Sequence, residues 1–151
     1  VEGYRRALEK AGIACDPALV IDADRDGGPE EQAALGAAID GMMASDAPPT
    51  ALLCGNDRLA VAVYGLLRAR GVAVPEGMSV AGYDDYRVIS ETLYPRLTTM
   101  ELPYLRMGEA AARLMLGALR GGEPLRHGTR LRIRGELRWR DSVRPGPAAI
   151  A

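Results

Sequence analysis

Two apolar runs end in polar pairs. Ala51-Leu52-Leu53-Cys54 stops at Gly55, and Asn56 and Asp57 follow at once. Val80-Ala81 stops at Gly82, and Tyr83, Asp84 and Asp85 follow. An amide offers donors and acceptors, whereas a carboxylate offers acceptors alone. Together they suit a ligand rich in hydroxyl groups, held rather than transformed. A buried polar partner left unpaired costs about 1–3 kcal/mol, and that penalty is how such a site selects. Each pair also has a plainer use. Asn56 or Asp57 can cap a following helix by accepting from its free N–H groups, which leaves the other to project into a crevice. Asp84 and Asp85 can fold into a turn through Asx hydrogen bonds.

Catalytic groupings are scarce. His127 is the only histidine and sits in a Gly-rich turn. No serine stands on a G-x-S-x-G elbow, and no Gly-rich dinucleotide fingerprint or Walker A loop is present. Adjacent aspartates diverge in an extended backbone, so Asp84 and Asp85 form no acid–base pair. Cys15 and Cys54 lie too far apart for a metal or redox spacing and read as buried apolar residues. The expectation is therefore no catalytic residue, no metal and no cofactor. Residues 126–144 hold seven Arg against Glu136 and Asp141. That excess reads as an edge strand guarded by charge on its solvent face.

The elements that would position these residues follow from periodicity. Residues 1–10 have helical spacing in Val1, Tyr4, Ala7 and Leu8, with Gly12 to close the helix. Ala18-Leu19-Val20-Ile21 reads as a short strand. Pro29, Glu30 and Glu31 suit a helix's first turn, and Leu35, Ala38, Ile39 and Met42 carry the stripe of a helix over 29–45. A strand at 50–54 leads into a helix over 57–70 with the stripe Leu59, Val63, Leu66 and Leu67. Strands follow at 78–83 and 97–100, then a helix over 103–120 with Leu105, Ala111, Leu114, Met115 and Ala118 on one side. Leu131, Ile133, Leu137 and Trp139 alternate with arginines, which is strand periodicity. Strands alternating with helices predict an α/β fold with a mostly parallel sheet flanked by helices. In open parallel sheets, ligands bind beyond the carboxyl ends of the strands, where both polar pairs lie. The chain opens on a helix with no strand before it, so it reads as part of a longer domain. A net charge of −1 argues against a polyanionic or polycationic partner for the chain as a whole. No apolar run approaches the roughly 20 residues of a membrane span.

The string "PTALLCGNDRLAVAVYGLLRARGVAVPEGMSVAGYDDY", followed by "YPRLTTMELPYLRMGEAAARLML", resembles the LacI/GalR (lactose/galactose repressor) family of bacterial transcriptional regulators. "VEGYRRALEKAGI" and "GELRWRDS" fit the family's flanking helix and final strand. The resemblance implies a periplasmic-binding-protein-like type I fold, of which the N-terminal subdomain and DNA-binding headpiece have no counterpart here. Residues 1–144 would be a partial effector-binding and dimerisation domain, mainly its C-terminal subdomain, and 145–151 a tail. It implies effector contacts from Asn56 and Asp84, with Tyr104 as a wall residue, and a homodimer surface including Leu59, Val63, Leu93 and Tyr94. The implied effector is a sugar or sugar-like molecule. Operator DNA would be reached only through the missing headpiece, and the setting would be cytoplasmic, with no membrane. Two other readings stay open: a periplasmic sugar-binding protein of a transport system, and an α/β enzyme using Asp84.

Overall fold

The computed structural model describes residues 1–23, 28–120 and 130–146. The chain divides into two compact units, Val1–Pro49 and Thr50–Ala151. In the first, α1 (Glu2–Lys10) has an acidic residue in its first turn and Lys10 in its last, which complements the helix dipole. Gly12 adopts φ 69°, and Ile13 N–H returns to the Leu8 carbonyl at 2.9 Å. This left-handed closure is one that glycine makes without steric penalty. Helix α2 (Pro29–Met43) starts with proline, and the Glu31 carboxylate accepts from Gly28 N–H at 3.0 Å. Its buried residues are Leu35, Gly36, Ile39 and Met42, three of them from the expected stripe.

The strand expected at Ala18–Ile21 does not form. Pro17–Leu19 is a 3-10 turn instead, because Asp16 accepts from Ala18 N–H at 2.9 Å and Pro17 supplies a fixed φ for the first position. A four-residue apolar run cannot by itself distinguish the two outcomes.

The second unit carries a four-stranded sheet in the order β1 (Ala51–Leu53), β2 (Ser79–Asp84), β3 (Thr98–Glu101), β4 (Leu137–Arg138). The first three strands are parallel and β4 is antiparallel to β3. The mostly parallel α/β architecture is thus present. Helix α3 (Asp57–Ala69) connects β1 to β2 and packs on β2. Its 3.6-residue repeat puts Ala60, Val63 and Leu67 on one face, each at most 3% exposed. They meet a core that includes Cys54, Met78, Val80 and Leu97. Each large side chain so buried is worth roughly 1.5–3 kcal/mol. Val63, expected on a dimer surface, is therefore a core residue. Short helix α4 (Arg87–Ser90) links β2 to β3, and α5 (Tyr104–Leu119) follows β3. None of the α5 residues is buried, so its expected stripe is exposed; Leu105 and Met115 are 76% and 60% exposed.

The alternating segment is also only partly as expected. Strand pairing is confined to Leu137–Arg138, and Leu131, Leu137 and Trp139 are exposed. The side chain drawn inward is Arg140, 10% exposed and paired with Asp85 at 2.7 Å. Beyond it, Ser142 fills the gap between the amino ends of β2 and β3. Its hydroxyl donates to the Val80 carbonyl at 2.6 Å and accepts from Thr98 N–H at 2.8 Å. The Gly-rich turn with His127 lies outside the described residues.

Cys54 is buried, and desolvation, followed by the nearby Asp57 carboxylate, pushes its thiol up to about 12. Cys15 is half-buried. At pH 8 one thiol per chain should react with a disulfide reagent in the folded protein, and the second only in denaturant. Two equivalents released at one rate without denaturant would contradict this burial.

Candidate functional site

Parallel pairing aligns the carboxyl ends of β1, β2 and β3 on one edge, and each end is followed by a polar segment. Asn56 follows β1 and caps α3. Its Oδ1 accepts from Leu59 N–H at 2.8 Å, so its carbonyl end serves the helix. The Nδ2 end of the same half-buried amide makes no hydrogen bond among the described residues.

Asp57 departs from expectation. With Asn56 as the cap, it was the side chain left to reach into the crevice, yet it is 1% exposed. Its Oδ1 accepts from Thr99 Oγ1 at 2.6 Å and its Oδ2 from Tyr86 N–H at 2.8 Å. Burial holds this carboxyl above its ordinary value. The Thr99 and Tyr86 hydrogen bonds pull the other way, Asp85 adds to the rise and Arg140 opposes it. Gly82 makes the arrangement possible, because a Cβ there would overlap Asp57 Oδ1. Glycine inside a strand marks such a close approach.

Asp84 and Asp85 end β2 in different ways. Both have positive φ, 123° and 51°, a conformation that aspartate tolerates better than most residues but that still carries strain. Asp85 is engaged through Oδ1, which accepts from Ser90 Oγ at 2.9 Å and from Arg140 Nη2 at 2.7 Å, while Arg138 Nε lies 3.9 Å from Oδ2. The half-buried Asp84 has its backbone carbonyl fixed by Leu102 N–H at 3.0 Å. Its carboxylate has no hydrogen bond or ion pair among the described residues. Desolvation, then the Asp57 charge, raise its pKa. Tyr104 opens α5 just past the end of β3 and is 60% exposed. Desolvation, then the charges of Asp84 and Asp57 and the Tyr83 phenol, raise the Tyr104 phenol as well. Past the strand ends on this edge stand one amide NH2 group, one uncommitted carboxylate and one aromatic hydroxyl. Such a set can orient hydroxyls or ring nitrogens by hydrogen bonding. Among the described residues no group of three His, Cys, Asp or Glu could hold a metal ion.

The expected dimer residues do not share one surface. Leu93 and Tyr94 line a groove of about 720 Å³ beside α3, together with Val61, Tyr64, Arg68 and Val72. Tyr94 is 96% exposed, Leu59 is half-buried outside the groove lining, and Val63 is in the core. Sequence reasoning missed Val61 and Tyr64, although their spacing with Arg68 marks the flank of α3 next to the buried Ala60, Val63 and Leu67. Tyr64 donates to the Pro95 carbonyl at 3.0 Å, and burial pushes its phenol up to about 12. That tie joins the helix to the loop forming the other wall.

The raised Asp84 carboxyl gives a pH test. A carboxyl whose folded pKa is raised binds its proton more readily in the folded state. Its share of stability is fully present below the unfolded value, near 3.8, and is lost as pH rises through the raised folded value. The stability of the protein relative to an Asp84→Asn variant should therefore fall as pH is raised from below 3.8 through that range. Urea midpoints across the pH series measure it, and a parent midpoint that rises relative to the variant's with increasing pH would contradict the assignment.

Residues 1–143 match the periplasmic binding protein-like domain family. The HTH-type transcriptional repressor PurR of Vibrio atlanticus (strain LGP32) is 35% identical over 116 residues, covering 77% of this chain and 33% of that protein. The Escherichia coli transcriptional repressor ascG superposes with a TM-score of 0.74 at 29% identity, covering 93% of this chain and 48% of that one. The transcriptional regulator CelR, solved as a cellobiose complex, gives 0.75 at 32% identity, with 93% and 41% covered. The chain spans about a third of the length of the curated relative it matches. The chain belongs to the periplasmic binding protein-like domain family, in its LacI/GalR branch.

Proposed function

We propose that this chain is the effector-sensing and dimerising portion of a bacterial DNA-binding transcriptional regulator that responds to a sugar or sugar-like molecule. The observation that carries the reading is the Asp84 carboxylate. It is half-buried at the tip of β2, held high by desolvation and hydrogen-bonded to nothing among the described residues. Its neighbours Asp57 and Asp85 are both committed. Asn56 supplies a donor and Tyr104 a phenol ring as wall. Hydroxyls of a sugar would donate to Asp84 and accept from Asn56. Nothing in this set activates a nucleophile or carries a leaving group, so the ligand would be bound and released unchanged. The regulator reading is favoured over the transport one because the relatives are transcriptional repressors and regulators. CelR in its cellobiose complex supports a sugar as the chemical class. On this reading residues 1–144 form part of the effector-binding domain and 145–151 a tail. Operator contact falls to a headpiece elsewhere in the full-length product, and the setting is the cytoplasm. No helix among the described residues is long and apolar enough to cross a membrane.

The dimer surface we assign to the groove beside α3, with Tyr94 and Leu93 on one wall and Val61 and Tyr64 on the other.

Two measurements test the reading on the full-length gene product. In calorimetric titration against sugars and purines, Asp84→Ala should weaken the ligand found by about tenfold or more, a loss of roughly 1.4 kcal/mol. Asn56→Ser keeps a helix cap of equal quality, so it should weaken binding while leaving the thermal midpoint within about a degree. Unaltered affinity in both variants would remove the site. Tyr94→Glu should convert dimer to monomer in sedimentation velocity, and a persisting dimer would remove the groove from the interface.

A further inference from the structure

Asp57 is the most deeply buried carboxylate among the described residues, and the proposed effector contacts do not use it. It leaves the first turn of α3, crosses β2 at Gly82 and reaches Thr99 on β3. Its second oxygen holds the backbone N–H of Tyr86, two residues beyond Asp84. One side chain thereby ties the carboxyl ends of three strands. Between its anchor points lie Asp84 and Asp85, the only non-glycine residues with positive φ among the described residues. Backbone in that region persists only where its surroundings over-determine it. The restraints are few. Leu102 N–H fixes the Asp84 carbonyl, Ser90 and Arg140 hold the Asp85 carboxylate, and Asp57 holds the next peptide. Of these, only Asp57 joins the turn to α3, the helix that Asn56 caps.

We propose that Asp57 is a positioning residue for effector binding. By clamping Tyr86 N–H and Thr99 Oγ1 across Gly82, it holds the left-handed turn that presents the Asp84 carboxylate, and it does so without touching the effector. The inference rests on the reading of Asp84 as an effector contact. Hydrogen bonding rather than charge does the holding. An amide at position 57 can accept from Tyr86 N–H through its oxygen and donate through its nitrogen to Thr99 Oγ1, since a hydroxyl serves as donor or acceptor. A methyl group can do neither.

The test uses full-length Asp57→Ala, Asp57→Asn, Thr99→Val and Asp84→Ala. Ribose, lactose, cellobiose and hypoxanthine are the calorimetric probes, and hydrogen exchange is followed at the Tyr86 amide. Asp57→Ala should weaken the probe that binds by about thirtyfold and speed Tyr86 exchange by at least about tenfold, the scale of a buried donor left without its acceptor. Asp57→Asn should recover most of both losses, and Thr99→Val should fall between. Affinity in Asp57→Ala within about threefold of the parent overturns the proposal. So does Asp57→Asn losing as much as Asp57→Ala. If Asp57→Ala does not fold, Thr99→Val decides, and parental affinity together with parental Tyr86 exchange there overturns the clamp. Parental affinity in Asp84→Ala defeats the effector assignment itself and the proposal with it. That failure is told apart because it appears without any Asp57 variant. If no probe binds the parent, Tyr86 exchange alone decides: slow exchange retained in Asp57→Ala ends the proposal.

Discussion

A carboxylate with 1% of its surface exposed is an expensive thing to place in a small unit. Desolvating such a group costs several kcal/mol even after relaxation. Two hydrogen bonds to a charged acceptor return roughly 1.5–3 kcal/mol each. The sum is near balance, so Asp57 adds little net stability. What it supplies is geometry. Its two bonds run to different elements, one to β3 and one to the peptide after the β2 tip, and the bond to β3 needs a strand residue with no side chain in the way. Gly82, Thr99 and the N–H of Tyr86 make sense only as a set with Asp57 at its centre. The rest of the edge is arranged around that tie. Asp85 goes to Arg140 and Ser90, and Asp84 is the carboxylate left over.

The Arg140–Asp85 pair repeats the logic from the other side. Both side chains are 10% exposed, and the arginine also donates to the Leu97 carbonyl at 2.8 Å. A nearly buried ion pair is weak ground for claiming stability. Here it fixes register, joining the segment after β4 to the turn after β2. Ser142 then sets the same segment between β2 and β3 through bonds to Val80 and Thr98. The segment after β4 is held by Arg140 and Ser142 rather than by apolar residues, and Leu137 and Trp139 remain outside.

That explains where sequence reasoning reached and where it stopped. The helices were legible because a 3.6-residue stripe is a local signal, and Pro29 and Gly12 punctuate it. The order β1, α3, β2 followed from apolar runs ending in Gly and a polar pair. The segment 131–139 misled because alternation shows which residues share a side, not what lies on that side. Asp57 was illegible for a deeper reason. Next to Asn56 it looks like a second cap candidate, and only the β2–β3 register, which pairs Gly82 with Thr99, reveals a slot for it. Two hints were present: a glycine inside an apolar strand, and Thr98-Thr99 in a strand buried on both sides. Neither names its partner. Val63 shows a different limit: its helical stripe marked an apolar face, the resemblance placed it on a dimer surface, and within this chain it is buried in the core.

The candidate site and the groove beside α3 are built from the same two pieces of chain. Helix α3 carries Asn56 and Asp57 at its start and Val61 and Tyr64 along the groove. The segment after Asp85 begins with Tyr86, held by Asp57, and passes through α4 to Leu93 and Tyr94 in the opposite wall. Tyr64 closes the loop by donating to the Pro95 carbonyl. Coupling between two sites needs an element with two arrangements that both sites bias. Most of this region is a short helix, a packed strand and saturated polar ties, which have one arrangement. The strained exception is the Asp84–Asp85 turn, where positive φ is stored in residues with a Cβ. A ligand that engages Asp84 acts on that turn directly, and the turn is anchored to α3 through one carboxylate. Couplings in such regulators are typically about 1–3 kcal/mol, the scale of a single charge-assisted hydrogen bond. On the proposed function, one bond, Asp57 to Tyr86 N–H, is of the size that a coupling between the candidate site and the groove would need.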